Sequence, residues 1–252
     1  NGLVTSTTIL ANGAAFAEAV AIAKALPELS VGVHINLIVG APVCHPGQIP
    51  SLVDDAGELI GSLGGFVKRY LLGGIAHGDV LREVHAQLQK VRDAGIEPTH
   101  VDTHMHSHTL PVVLHAVVEG AKSFGHARIR LPVEMDPPKA LRGHLPMSTA
   151  TLANWAKLQL PRFTLRHAHT LFREQGVATT DHFTGMAYSR QLNTQVLVQV
   201  LSDLPDGVTE LMCHPAMVQG EANPVQRRQN ELEALLSADA KRIVEAQQIR
   251  LI

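Results

Sequence analysis

The sequence predicts an α/β protein with a parallel sheet, on three observations. Short apolar strands alternate with amphipathic helices along the whole chain, the length of 252 residues suits one barrel-sized domain, and polar residues gather on strand faces and strand ends. Repeated units of this kind form either a doubly wound sheet or a closed barrel. Polar residues on inner strand faces favour the barrel, whose chemistry collects at the C-terminal rim. With no repeat and no low-complexity linker, the expectation is a single domain over residues 1–252.

The elements follow in order. Residues 3–10 read as a strand and 13–25 as an Ala-rich helix. In 29–37, Leu29, Val31, Val33, Ile35 and Leu37 fall on one face, and Ser30, Gly32, His34 and Asn36 on the other. Pro- and Gly-rich residues 40–64 read as a long loop of the functional kind. Leu81, Val84, Leu88 and Val91 mark the buried stripe of a helix at 78–94 that Gly95 closes. A strand through 99–106 precedes a helix that starts at Pro111 and runs to Phe124, and 128–133 is a short strand. Helical pieces at 152–160 and 165–175 flank Pro161; a helix at 192–203, a strand at 208–213, a helix at 225–247 and a strand at 249–252 complete the chain.

Composition excludes several classes. Twenty-one basic against 23 acidic residues leave no excess charge to follow a phosphate backbone, so nucleic acid is not the expected partner. No apolar run reaches the roughly 18–20 residues of a membrane span, and a cytoplasmic, membrane-free protein is the expectation. Cys44 and Cys213 lie outside any CxxC pair and indicate neither a disulfide framework nor a thiolate zinc site. A homodimer is the base-rate expectation for assembly.

Fifteen histidines carry the chemistry. In Thr99-His100-Val101-Asp102-Thr103-His104-Met105-His106-Ser107-His108, an extended strand puts His100, Asp102, His104 and His106 on one face. Burying such groups without partners costs about 1–3 kcal/mol each, so a metal or substrate site accounts for the pattern better than core packing. Asp102 is placed to orient a neighbouring ligand or take a proton. His34 is the one ring on the polar face of its strand, and His214 ends the apolar run Glu210-Leu211-Met212-Cys213-His214 just before Pro215. Asp181-His182-Phe183-Thr184-Gly185 supplies a further acid–histidine pair, a binding element or a plain turn.

These stretches, with Gly2-Leu3-Val4-Thr5-Ser6-Thr7-Thr8, Ile49-Pro50-Ser51-Leu52-Val53-Asp54 and Arg130-Leu131-Pro132, resemble the YdjC-like carbohydrate deacetylases. The likeness runs from the first residue nearly to the last. It implies a deformed (β/α) TIM-like barrel and a divalent metal ion, Mg²⁺ or Zn²⁺, used to remove N-acetyl groups from small amino sugars. It implies His34 and His104 as metal ligands, His214 near the reacting group, and Arg130, Asp181 and His182 on motifs that line or support the substrate pocket; from the residues themselves, Asp102 joins His214 as an expected catalytic residue and His106 joins the substrate-binding set. The family's Asn-Ala-Asp-Asp-Phe-Gly segment, source of a third ligand and of the base, is absent from these 252 residues. The expectation is therefore a chain lacking its first βα unit. Two alternatives stand beside this one: a deacetylase of a lipid-linked, hopanoid-associated amino sugar, and a non-catalytic sugar- or metal-binding homologue.

Overall fold

A computed structural model describes residues 2–125, 128–135, 161–189, 191–217 and 223–252. They group into two compact units, Ser6–Arg130 with His167–Thr179, and Asn1–Thr5 with Leu131–Arg166 and Thr180–Ile252.

The first unit is built on three parallel strands, β1 (Ser6–Ile9), β2 (Ser30–Ile35) and β3 (Val101–Thr103), in the order β1-β2-β3. The crossover from β1 to β2 is α1 (Phe16–Ala25). Between β2 and β3 lie the long loop, α2 (Leu63–Leu71) and α3 (His77–Asp93). Strand alternation in β2 is as the sequence predicts, with Val31, Val33 and Ile35 buried. Gly32 sits where a Cβ would come within 2.5 Å of the His100 carbonyl oxygen, so β2 and the approach to β3 touch through a residue without a side chain. Beyond β3, α4 (Pro111–Ser123) takes Pro at its first position, and α5 (Ala168–Gln175) ends at Gly176.

The buried stripe of α3 differs from the sequence reading. Val80, Val84, Leu88 and Val91 face the core, joined by Asp79, Glu83 and Gln87, while Leu81 is only partly covered. Three polar side chains at intervals of four are tolerated inside because each meets loop backbone. Asp79 accepts from the Ser51 N–H, and Glu83 from the N–H groups of Val43 and Cys44. Gln87 bonds both the N–H and the C=O of Asn36. The loop is thus pinned to the helix by its main chain.

The second unit pairs β4 (His182–Thr184) and β5 (Thr209–Leu211) in parallel. Its core is formed by Tyr188, Leu192, Leu197, Val200, Ala234 and Leu235, contributed in part by α6 (Thr194–Ser202), capped by Asn193, and α7 (Asn223–Leu236). α8 (Ala238–Ala246) starts anew at the N-cap Ser237, which divides the single helix expected over 225–247.

Two strand expectations are corrected, at 128–133 and at 249–252, and the α/β class with parallel strands is as expected. Among the described residues the strands form a three-stranded and a two-stranded parallel sheet and no closed barrel. Residues 128–133 make only single bridges, Val101 to Ile129 and Arg128 to Ala178, because the segment crosses its neighbours too briefly for a ladder. Residues 249–252 carry no strand, the chain turning at Gln248 with φ 53°. The expected helix at 152–160 lies outside the described residues. No described helix is long and apolar enough to cross a membrane.

Candidate functional site

His34 and Asp102 are register partners on the adjacent strands β2 and β3. Their side chains therefore leave the same face and meet, His34 Nδ1 donating to Asp102 Oδ1 at 2.7 Å. Arg130 Nη1 donates to the other carboxylate oxygen, Oδ2, at 2.5 Å. Asp102 is 1% exposed. Burial would push its carboxyl upward, but the Arg130 guanidinium, followed by the His34 N–H, holds it well below the usual carboxylate range. An ionised Asp102 fixes His34 as the Nδ1–H tautomer and leaves the Nε2 lone pair pointing away from the carboxylate.

That lone pair faces His104. His34 Nε2 and His104 Nδ1 are 3.4 Å apart, the rings nearly edge-on with centroids 5.5 Å apart. Burial, and then the neighbouring His34, lower the His104 pKa, which favours the neutral ring.

The strand expected over 99–106 stops at Thr103. From His104 to Thr109 the chain winds in 3-10 turns broken by a kink, Met105 and His106 both taking left-handed conformations with φ 53° and 52°. Two consecutive non-glycine residues there cost about 1–2 kcal/mol each. His104, just past the end of β3, stays beside His34, and the kink that follows ends the single-face array that strict alternation implies. His100 instead contacts Thr99 Oγ1 and Ser6 Oγ. His106 lies beside His108, and burial together with that neighbour pushes its pKa down to about 3.

His108, two residues beyond the strand expected over 99–106, is fully buried. Its Nδ1 accepts from Thr103 Oγ1 at 2.5 Å, its Nε2 donates to the Arg130 carbonyl at 3.0 Å, and its own N–H donates to Thr103 Oγ1 at 3.2 Å. Burial pushes its pKa down to about 4.

The remaining sequence candidates belong to the second unit. Asp181 Oδ2 accepts from the Val208 N–H, and His182 Nε2 donates to the Asp206 carbonyl, so both secure the turn that leads into β5. His214 follows β5, its N–H donating to Glu231 Oε2 of α7. Glu231 is almost fully buried, as is Glu134, which collects Thr184 Oγ1 and the N–H groups of Gly185 and Met186. Desolvation raises the Glu134 pKa against those donors. Sequence reasoning missed Glu134 and Glu231. A lone glutamate carries no periodic signal to find it by.

The donor set can be tested against a metal ion. Two imidazole nitrogens sharing a tetrahedral zinc at about 2.0–2.1 Å are themselves about 3.4 Å apart, the spacing of His34 and His104. One of the two is backed by a buried carboxylate, the arrangement that orients metal-binding histidines. The pair fits as two donors. Among the described residues no cluster of three or more His, Cys, Asp or Glu is arranged to hold an ion.

The fold and this centre define a parallel α/β protein with a histidine–carboxylate site where adjacent strands end. The chain belongs to the family of YdjC-like proteins, whose model matches residues 1–246. It is 32% identical over 241 residues to a carbohydrate deacetylase of Geobacillus stearothermophilus, covering 93% of this chain and 79% of that protein. It is 29% identical to a chitooligosaccharide deacetylase of Salmonella paratyphi B, covering 96% of this chain and 83% of the relative. A solved structure from Enterococcus faecalis V583, a proposed cellobiose-phosphate cleavage protein, superimposes with a TM-score of 0.75 at 25% identity, covering 100% of this chain and 87% of that one.

Proposed function

We propose that the protein is a divalent-metal-dependent hydrolase that removes N-acetyl groups from small amino sugars or chitooligosaccharides. The observation that carries this reading is the His34–His104 nitrogen pair at 3.4 Å with Asp102 behind it, in a chain whose relatives are carbohydrate deacetylases. His34 and His104 would hold the cation, zinc or magnesium, with at least one further donor. When bound, such an ion polarises the acetyl carbonyl and lowers the pKa of water toward neutrality.

The protein's own groups do the rest. Asp102 keeps the His34 proton on Nδ1, so that Nε2 stays a donor of electrons, and Arg130 keeps Asp102 ionised. His106 is assigned to the substrate's polar edge. His214 is assigned the proton for the leaving amine, on its motif alone. Asp181 and His182 act by fixing the turn before β5. Closure of the strands into a deformed barrel, as one domain over residues 1–252, belongs to the same reading, as does a homodimer.

Acetate release from N,N′-diacetylchitobiose with Mg²⁺ or Zn²⁺ tests it. Release that is metal-dependent and nearly abolished in His34→Ala and His104→Ala supports the proposal. Metal-independent release, or full activity in either variant, overturns it.

A further inference from the structure

The kink at Met105 and His106 needs something to hold it, and the hydrogen bonds identify what does. His108 closes the far end of the turn. Its ring nitrogens and backbone N–H all engage groups that border the site: the Thr103 hydroxyl, at the end of β3 one residue after Asp102, and the backbone carbonyl of Arg130, whose guanidinium holds Asp102. The bond directions permit one tautomer. The Arg130 carbonyl can only accept, so His108 carries its proton on Nε2; Nδ1 then accepts the Thr103 O–H, and Thr103 Oγ1 in turn accepts the His108 N–H. Full burial leaves water no access to replace any of these bonds.

We propose that His108 is a positioning residue: its buried ring clamps the left-handed turn to β3 and to the backbone of Arg130, so that His104 faces His34 and the Arg130 guanidinium reaches Asp102. The inference rests on the reading of His34 and His104 as the working pair, and it assigns His108 no contact with substrate or metal. Loss of the clamp lets the strained turn relax, and His104 swings from its partner. Arg130 is released at the same time, so Asp102 loses the group that fixes its orientation toward His34.

The test combines side-chain ¹H–¹⁵N correlation spectra with calorimetric titration of Zn²⁺ alone, on the wild-type protein and on His108→Ala, His108→Gln and Thr103→Val. The wild-type spectrum shows His108 as Nε2–H and His34 as Nδ1–H. His108→Ala loses tenfold or more in zinc affinity, and its His34 signal moves toward mixed tautomers. His108→Gln, which keeps a donor for the Arg130 carbonyl, recovers at least half of that loss on a logarithmic scale. Folded His108→Ala with zinc affinity within twofold of wild type and an unchanged His34 tautomer overturns the proposal. If His108→Ala does not fold, Thr103→Val decides: a threefold or greater loss of affinity supports the clamp, and no loss overturns it. If the wild-type protein takes up no zinc, the metal reading fails separately, and the His34 tautomer in the variants still decides the role of His108.

Discussion

Asp102 on β3 accepts the Nδ1 proton of His34 on β2 at 2.7 Å, and the two residues are opposite each other in the parallel register. One strand pairing thus creates both the orientation of the His34 ring and the charge behind it. Because Arg130 engages the second carboxylate oxygen, the three groups form one linked unit around a buried carboxylate, and changing any of them disturbs the others.

The first prediction concerns that unit. Asp102→Asn leaves the guanidinium of Arg130, 11% exposed, without its anion. Breaking a buried pair from one side costs about 3–5 kcal/mol, read as a lower urea midpoint. Because the His34 tautomer is no longer enforced, zinc affinity falls roughly 10–100-fold, read by calorimetry. An Asn variant as stable as wild type would remove the ion pair from the account.

The second concerns pH. His108 has its pKa lowered from 6.5 to about 4, so the unfolded chain binds a proton below pH 6.5 that the folded protein refuses. Stability is then full above pH 6.5 and is lost as pH falls toward 4, by about 3 kcal/mol. Asp102 keeps its contribution above its ordinary 3.8, but His104 and His106 are also held below 6.5 and lose stability in the same window, so the share of His108 is read from the difference between wild type and variant. Urea titrations between pH 7.5 and 4.5 should show a slope in the wild type that is about 1.4 kcal/mol per pH unit shallower in His108→Gln. Equal slopes would show that His108 is not held neutral.

The sheet centre and the site residues differ in how readily the sequence reveals them, for physical reasons. Strict alternation over residues 29–37 shows which face His34 occupies, since one face must be apolar. That His34 meets Asp102 depends on a register between residues 68 apart, which local pattern does not encode. The histidines at 100, 104 and 106 mimic a strand, yet the chain kinks at Met105 and His106, and no glycine marks the left-handed pair. Asp79, Glu83 and Gln87 recur every four residues on α3, a pattern that ordinarily means a solvated face. Here loop backbone takes the place of water.

A third prediction follows for α3. Gln87→Leu leaves the N–H and C=O of buried Asn36 unpaired, at a cost of about 2–4 kcal/mol, whereas Gln89→Leu on the exposed side changes stability by no more than about 0.5 kcal/mol. Comparing the two by chemical denaturation checks the ladder. Similar losses in both would mean that burial of Gln87 is incidental.

A fourth concerns backbone contact. In Gly32→Ala the new methyl group would lie 2.5 Å from the His100 carbonyl and 2.7 Å from its ring, so β2 and the chain before β3 must separate. Loss of about 3 kcal/mol or more is expected, together with weakened zinc binding, since His34 and Asp102 sit on the displaced strands. Gly64→Ala in α2, where nothing lies within 4 Å, should be neutral or slightly stabilising. Thermal unfolding of the pair distinguishes a required contact from a tolerant site.

The most direct measurement is the calorimetric stoichiometry of Zn²⁺ on the wild-type protein, His34→Ala and His104→Ala at neutral pH. One ion per chain in the wild type, with affinity lost at least a hundredfold in each variant, is the result the paired imidazoles predict. Undiminished zinc binding in either variant would contradict the account, because the two nitrogens could then not share a cation.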